Sequence, residues 1–214
     1  LDISNFNLEN HTPIHIIGDV EFYWNQLLTP KDFATDTTIG NKQYLKLPNV
    51  WNKNLVDGVA IGSDGFATYR LIVKTSRDGL FGLKLNEVDC AYKIWANNAC
   101  DSVGKVAKSK KEIIPSWKRK ELYFNSFNKQ IEIVIQVANF NHRKGGLEDV
   151  ILLGTVNQIV KAKEKSIALN IFLLSIIMLV GLSHIFMFSL RKQERNALLF
   201  GLVCILMSIR LMCT

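Results

Sequence analysis

The stretch 166–190, SIALNIFLLSIIMLVGLSHIFMFSL, runs for 25 residues without an Asp, Glu, Lys or Arg. At 1.5 Å rise per residue, a bilayer's hydrocarbon core takes roughly 20 apolar residues, so this run is long enough to span with some tilt. A core helix of a soluble protein keeps a polar stripe; this one has none. Next comes the basic loop 191–195 (RKQER), then a second apolar run, 196–214, that reaches the last residue. That run reads as the start of a second span, cut short. All four Met lie after residue 165, while all four Trp, five Tyr and four Pro lie before it. The chain therefore divides into an ordinary domain and a membrane part, and its net charge of +7 is no nucleic-acid signal. The membrane-flanking basic residues supply part of it. A 48% hydrophobic content excludes a disordered chain.

Orientation does not follow from charge. Lys161, Lys163 and Lys165 precede the first span; Arg191, Lys192 and Arg195 follow it. The positive-inside comparison is a tie. The chain opens on Leu1 rather than Met, which reads as an export signal already removed or as a piece of a longer protein.

Before residue 158 the pattern is that of strands. In 66–75 (FATYRLIVKT), Ala67, Tyr69, Leu71 and Val73 share a face; in 131–138 (IEIVIQVA), Ile131, Ile133, Ile135 and Val137 do. Tyr92, Ile94 and Ala96 alternate with Lys93, Trp95 and Asn97. Further strands are expected over 14–18, 20–25, 44–47, 80–86, 122–127 and 150–156. Turn pairs such as Asp64-Gly65, Asp78-Gly79, Asn97-Asn98 and Gly145-Gly146 separate them. About nine short strands without an amphipathic helix predict a mainly β chain, a β-sandwich. Residues 158–165 (QIVKAKEK) are expected to run helically into the first span as a stalk.

Trp51 after Leu47-Pro48, then 65–71 (GFATYRL), 92–97 (YKIWAN) and 137–146 (VANFNHRKGG), follow an opening 18–24 (GDVEFYW). In this order they resemble the extracellular jelly-roll module of bacterial seven-transmembrane receptors with diverse intracellular signalling modules. That module is itself similar to the galactose-binding-like, sugar-binding jelly roll of β-galactosidases and β-glucuronidases. The two apolar runs resemble the first two helices of the receptor's membrane region. Asn97-Asn98 stands where the family often has Asn-Gly, and Cys90 and Cys100 depart from the family pattern. The resemblance implies a 1–157 ligand-binding domain outside the bacterial inner (cytoplasmic) membrane, in the periplasm or extracellular space. It further implies a stalk (158–165), a first transmembrane helix (166–190), a cytoplasmic loop (191–195) and the beginning of a second helix (196–214).

Residues for chemistry are few. No Cys or His pair has zinc-ligand spacing, no Gly-x-Ser-x-Gly elbow occurs, and no cofactor is expected. Glu148-Asp149, if on a strand, would point to opposite faces. The chain reads as a non-enzyme. The segment 139–146 (NFNHRKGG) is the leading ligand site, its Asn139, His142 and Arg143 offering groups that fork onto hydroxyls or a carboxylate. A purely structural turn is the competing reading of the same segment. Trp51, Trp95 and Trp117 could stack on a sugar ring or fill the core, and Arg70 is either a rim contact or a buried pair. The lysine-rich 105–120 reads as a solvated loop, although anionic polymers or headgroups would suit it. In a hairpin turning at Asn97-Asn98, Cys100 faces Trp95, so a bridge to Cys90 would require a bulge or another register. Cys204 and Cys213 read as small packing residues.

Two functions fit. One is the sensory front of a signalling receptor that binds a carbohydrate or other small ligand. The other is a membrane-anchored assembly module that contacts envelope proteins. The partners expected are a lipid bilayer, a carbohydrate or small-molecule ligand, an envelope protein and a second copy in a homodimer; nucleic acid is not.

Overall fold

The computed structural model describes residues 1–5, 12–35, 39–52, 54–86, 88–116 and 118–212. Trp117, His11 and Cys213 lie outside them. The chain forms two compact units, Leu1–Ile159 and Val160–Thr214.

The first unit holds strands β1 (Ile14–Ile16), β2 (Gly18–Trp24), β3 (Gln43–Leu47), β4 (Asn49–Val50), β5 (Leu55–Val56), β6 (Val59–Ala60), β7 (Gly65–Lys74) and β8 (Leu80–Leu85). It continues with β9 (Ala91–Ala96), β10 (Ala99–Val103), β11 (Lys120–Asn125), β12 (Gln130–Asn139), β13 (Gly146–Leu147) and β14 (Ile151–Thr155). A short helix, α1 (Pro30–Thr35), follows β2, and two long ones, α2 (Val156–Leu190) and α3 (Arg195–Met212), close the chain. All nine expected strands are present. Sequence reasoning missed β10, the two-residue pairs β4–β13 and β5–β6, and α1.

Two antiparallel sheets carry the unit: a four-stranded one, β1-β14-β8-β11, and a six-stranded one, β10-β9-β12-β7-β2-β3. Phe81, Leu83 and Leu85 of β8 and Phe124 of β11 join Tyr69, Val73, Ile94, Ile133 and Val137 of the other sheet in one buried core. This is a β-sandwich of two antiparallel sheets. The expected alternation holds: Ala67, Tyr69 and Val73 are buried, while Arg70 is half-buried and Lys74 exposed.

β12 departs from simple alternation, since Val134, Gln136 and Ala138 are buried as well. The outer face of its sheet is covered. Gln136 donates to the carbonyl of Leu28 at 2.9 Å, and the Thr68 hydroxyl donates to Gln26 O and accepts from Leu28 N, tying segment 26–28 across the sheet. Ala107 and Ile113 from the lysine-rich loop form a second small core with Ala91 and Ala138. That loop therefore has a packing role, with its lysines outside. A strand buried on both faces reads as a continuous apolar run, which accounts for the sequence IEIVIQVA.

The exit from the sandwich is built with care. Thr155 and Gln158 form a capping box: Thr155 N–H donates to Gln158 Oε1 at 2.8 Å, and Gln158 N–H to Thr155 Oγ1 at 3.4 Å. The expected helical stalk is thus continuous with β14, and α2 starts at Val156. Ile159, fully buried, lies against the outer face of the four-stranded sheet, where Gly82 and Gly154 are register partners. A Cβ on Gly82 would stand 2.9 Å from Ile159 Cγ1, and one on Gly154 would stand 2.6 Å from Gln158 Oε1. Only glycines leave this notch open.

In the second unit, α2 and α3 are both long and apolar enough to cross a membrane. They meet backbone to backbone where a Cβ on Gly201 would lie 2.8 Å from the carbonyl oxygen of Gly181. Small residues at such a crossing let helices approach closely in lipid. The His184 ring stands 4.8 Å from that of Phe200, so His184 faces protein.

Candidate functional site

The six residues singled out from the sequence fall into two places. Asn139, His142, Arg143 and Trp51 gather at the end of the sandwich where β12 terminates. Arg70 and Trp95 lie on the outer face of the six-stranded sheet.

At the first place, Asn139 is buried and used up by the turn it organises. Its amide donates toward the carbonyls of Ser63, His142 and Lys144 at 3.1, 2.7 and 3.1 Å, and its Oδ1 accepts from His142 N–H at 2.9 Å. Trp51 is fully buried, with its indole N–H on Ser63 O at 3.0 Å and its ring edge-on to Trp24 at 5.2 Å. It has no open face for a sugar. A Cβ on Gly145 would lie 2.3 Å from Trp51 Nε1, and Gly146 has φ 113°, so the double glycine exists to seat this ring. These two residues hold the loop rather than a ligand. Arg143 is exposed, and its carbonyl accepts from Asn52 at 2.9 Å.

What this loop frames is a cleft of about 260 Å³ lined by Val50, Val88, Asp89, Cys90, Lys144, Gly146, Glu148 and Asp149. That volume sits near the lower end of small-molecule pockets. His142 Nε2 lies at the rim, 3.5 Å from Asp89 Oδ2. Lys144 pairs with Glu148, and Asp149 accepts its neighbour's amide, Val150 N–H, at 2.7 Å. Glu148 and Asp149 are not on a strand; they lie between β13 and β14 and line the cleft together. This corrects the expectation that they diverge. Cys90 forms part of the floor, 3.7 Å from the Lys144 carbonyl, and burial pushes its thiol up to about 11. Of the cleft's lining, sequence reasoning took only Lys144 and Gly146 into the candidate site, and it set Glu148-Asp149 aside. Val88, Asp89 and Cys90 arrive from a distant part of the chain with no motif to announce them.

At the second place, register sets Cys100, Trp95, Val134, Arg70, Glu21 and Tyr44 side by side across five neighbouring strand pairs. Arg70 answers the question left by the sequence: it is a half-buried ion-pair centre. Its Nε donates to Glu132 Oε1 at 2.7 Å, its Nη1 lies 3.4 Å from Glu21, and its guanidinium stacks over Phe33 at 4.5 Å. Burial works against the charged form, but the two carboxylates outweigh it and hold the guanidinium pKa above its ordinary value. Trp95 is half-buried with the Lys93 ammonium 4.9 Å from its ring, which occupies one face. Cys100 pairs in register with Trp95, as the hairpin required, and both Cys90 and Cys100 are free thiols. Among the described residues no cluster of three or more His, Cys, Asp or Glu could hold a metal ion.

No protein-family model and no curated protein matches the sequence. Solved structures are loosely similar in fold. A GH2 β-galacturonidase from Eisenbergiella tayi bound to galacturonate aligns over 67% of this chain and 24% of its own, at 11% identity and TM-score 0.43. A Ruminococcus gnavus β-glucuronidase aligns over 65% and 28%, at 8% identity and TM-score 0.45. A Faecalibacterium prausnitzii β-glucuronidase aligns over 69% and 32%, at 11% identity and TM-score 0.43. The chain spans about a quarter to a third of the length of these enzymes. The fold stated above stands on its own sheets and core.

Proposed function

We propose that this chain is the extracytoplasmic, ligand-binding front of a bacterial membrane receptor, with α2 and α3 as its first membrane helices. The ligand reading is a carbohydrate or another small polar molecule held in the cleft beside His142 and Lys144. One observation supports this above others. The cleft, β14 and the start of α2 are consecutive in the chain: Lys144, Glu148 and Asp149 line the cleft, Ile151–Thr155 form β14, and Ile159 locks the first turn of α2 onto the sheet. A ligand that binds two arrangements of the 144–149 loop with different affinity shifts the balance between them, and β14 leads directly from that loop to the helix.

The sequence resemblance to the receptor module adds to this reading, as does the open cleft, which a flat assembly surface would not need. The orientation follows from the same reading: sandwich outside the cytoplasmic membrane, loop 191–195 inside. The exposed Cys100 is a natural reporter. A membrane-impermeant maleimide should label it in intact spheroplasts; protection until lysis would overturn the orientation. For the ligand, the full chain in lipid nanodiscs would be titrated with neutral, amino and acidic monosaccharides and disaccharides. A thermal shift that Asp149→Trp, which obstructs the cleft from its exposed lining, abolishes is the expected result. No shift with any of them would overturn the cleft as a sugar site.

A further inference from the structure

The far end of β12 carries a second, differently built depression. Asn97, Asn98, Phe127, Asn128, Gln130 and Glu132 line an open basin of about 510 Å³ where the β9–β10 and β11–β12 turns meet. β12 runs from Gln130, in this basin, to Asn139, at the cleft loop. At roughly 3.3 Å per residue the two places stand about 30 Å apart, so they are separate sites.

Phe127 is 56% exposed, yet the turn that holds it out is rigidly tied. Phe127 and Gln130 exchange backbone hydrogen bonds. Asp78 accepts from Lys129 N–H at 2.6 Å, and the buried Ser126 donates to Asp78 at 3.4 Å. Asn97, with φ 47°, bonds the neighbouring turn to this one: its amide donates to Asn125 O at 2.7 Å and Gln130 O at 3.3 Å, and its Oδ1 accepts from Glu132 N–H at 2.8 Å. An exposed aromatic ring on a pre-organised tip loses little conformational entropy when it is covered.

The remaining lining states what could cover it. Asn98, Asn128 and Gln130 present uncharged amides, each both donor and acceptor. Glu132 is the one ionised group of the lining, and Arg70 holds it at 2.7 Å. The lining itself holds no cation to take a phosphate or a carboxylate, the exposed Lys129 of the same turn lying outside it, and its single carboxylate is already engaged. An apolar partner would strand the amides. An uncharged, hydroxyl-rich ligand with an apolar ring face satisfies both the ring and the amides. We propose that this basin binds a neutral saccharide chain, one sugar ring stacking on Phe127 and its hydroxyls bonding Asn98, Asn128 and Gln130. The openness of the basin suits a passing chain rather than an enclosed single sugar.

The test uses the full chain in nanodiscs of zwitterionic lipid, titrated with hexaoses of β-linked glucose, mannose and galactose, and with hexagalacturonate as the acidic control. At least one neutral hexaose should bind. Phe127→Ala should weaken it tenfold or more, Phe127→Tyr should restore it, and Asp149→Trp at the exposed lining of the cleft should leave it unchanged. Phe127 is exposed and outside the core, so its loss does not threaten the fold; an unchanged circular dichroism melt would verify this. The proposal is overturned by no neutral hexaose binding, by equal binding of hexagalacturonate, or by Phe127→Ala binding as the parent does. Loss of binding on Asp149→Trp alone would return the sugar to the cleft and remove it from the basin.

Discussion

Truncating Asn139 to Ala would leave the carbonyls of Ser63, His142 and Lys144 without the amide they share. Losing buried hydrogen bonds of this kind costs about 2–4 kcal/mol in all, and urea unfolding followed by circular dichroism should register it. The cysteines give a second residue-scale expectation. A maleimide should modify exposed Cys100 in the native chain and leave buried Cys90 untouched, with no mass loss from a Cys90–Cys100 bridge. Burial raises the Cys90 pKa to about 11 in the fold, whereas an unfolded thiol ionises near 8.5. Its contribution to stability is therefore complete below pH 8.5 and falls as pH rises toward 11. A pH series of melts should show a larger loss between about pH 8.5 and 10, below the range where the buried tyrosines contribute, in the parent than in Cys90→Ser. Much of this was illegible in the sequence. Asn139 was visible as important, but whether its amide met a ligand or three carbonyls depended on Ser63, far away in the chain. Trp51 looked like a loop residue because the glycines that enclose it lie beyond residue 140. Arg70 was marked as a mid-strand charge, and only register revealed Glu132 and Glu21 beside it.

At the scale of elements, the capping box and the glycine notch decide how α2 begins. Thr155→Ala should cost about 1 kcal/mol by removing the cap. Ile159→Ala should cost about 2–4 kcal/mol by leaving a cavity, and Gly82→Val, by driving a side chain into the same space, should cost a similar amount. If Ile159→Ala and Gly82→Val each melt like the parent, the packed first turn described here is not formed in solution. The long alternating strands were legible because burying one face writes a period of two into the sequence. β10 (ACDSV) was not, because an edge strand with Cys100 exposed and Asp101 paired to Lys120 carries no such period. The two-residue pairs β4–β13 and β5–β6 are too short to have a period at all. The stalk was foreseen, but its fusion to β14 through Thr155 and Gln158 was hidden in a four-residue pattern that the strand reading overran.

For the whole molecule, the compact unit that holds the sandwich extends through Ile159. A soluble fragment ending at Lys165 should therefore be more stable than one ending at Thr155 by about 2–4 kcal/mol, the difference being the buried Ile159 and its cap. Equal melts would contradict that. Two candidate sites of opposite character occupy the two ends of one strand. β12 pairs on both sides, with β7 and β9, and is buried on both faces. Between the cleft loop and the basin, then, runs a strand held by two ladders and by packing on both faces.

The position of β14 has a mechanical meaning. It is an interior strand, laddered to β1 on one side and to β8 on the other, and α2 starts directly after its last residue. A domain tethered at an edge strand can be peeled open one hydrogen bond at a time. Here a tug on α2 must first draw Ile159 off Gly82, and then works against two ladders together. If the sandwich grips a glycan anchored elsewhere in the envelope, the tether is placed to carry tension without unravelling the fold that does the gripping.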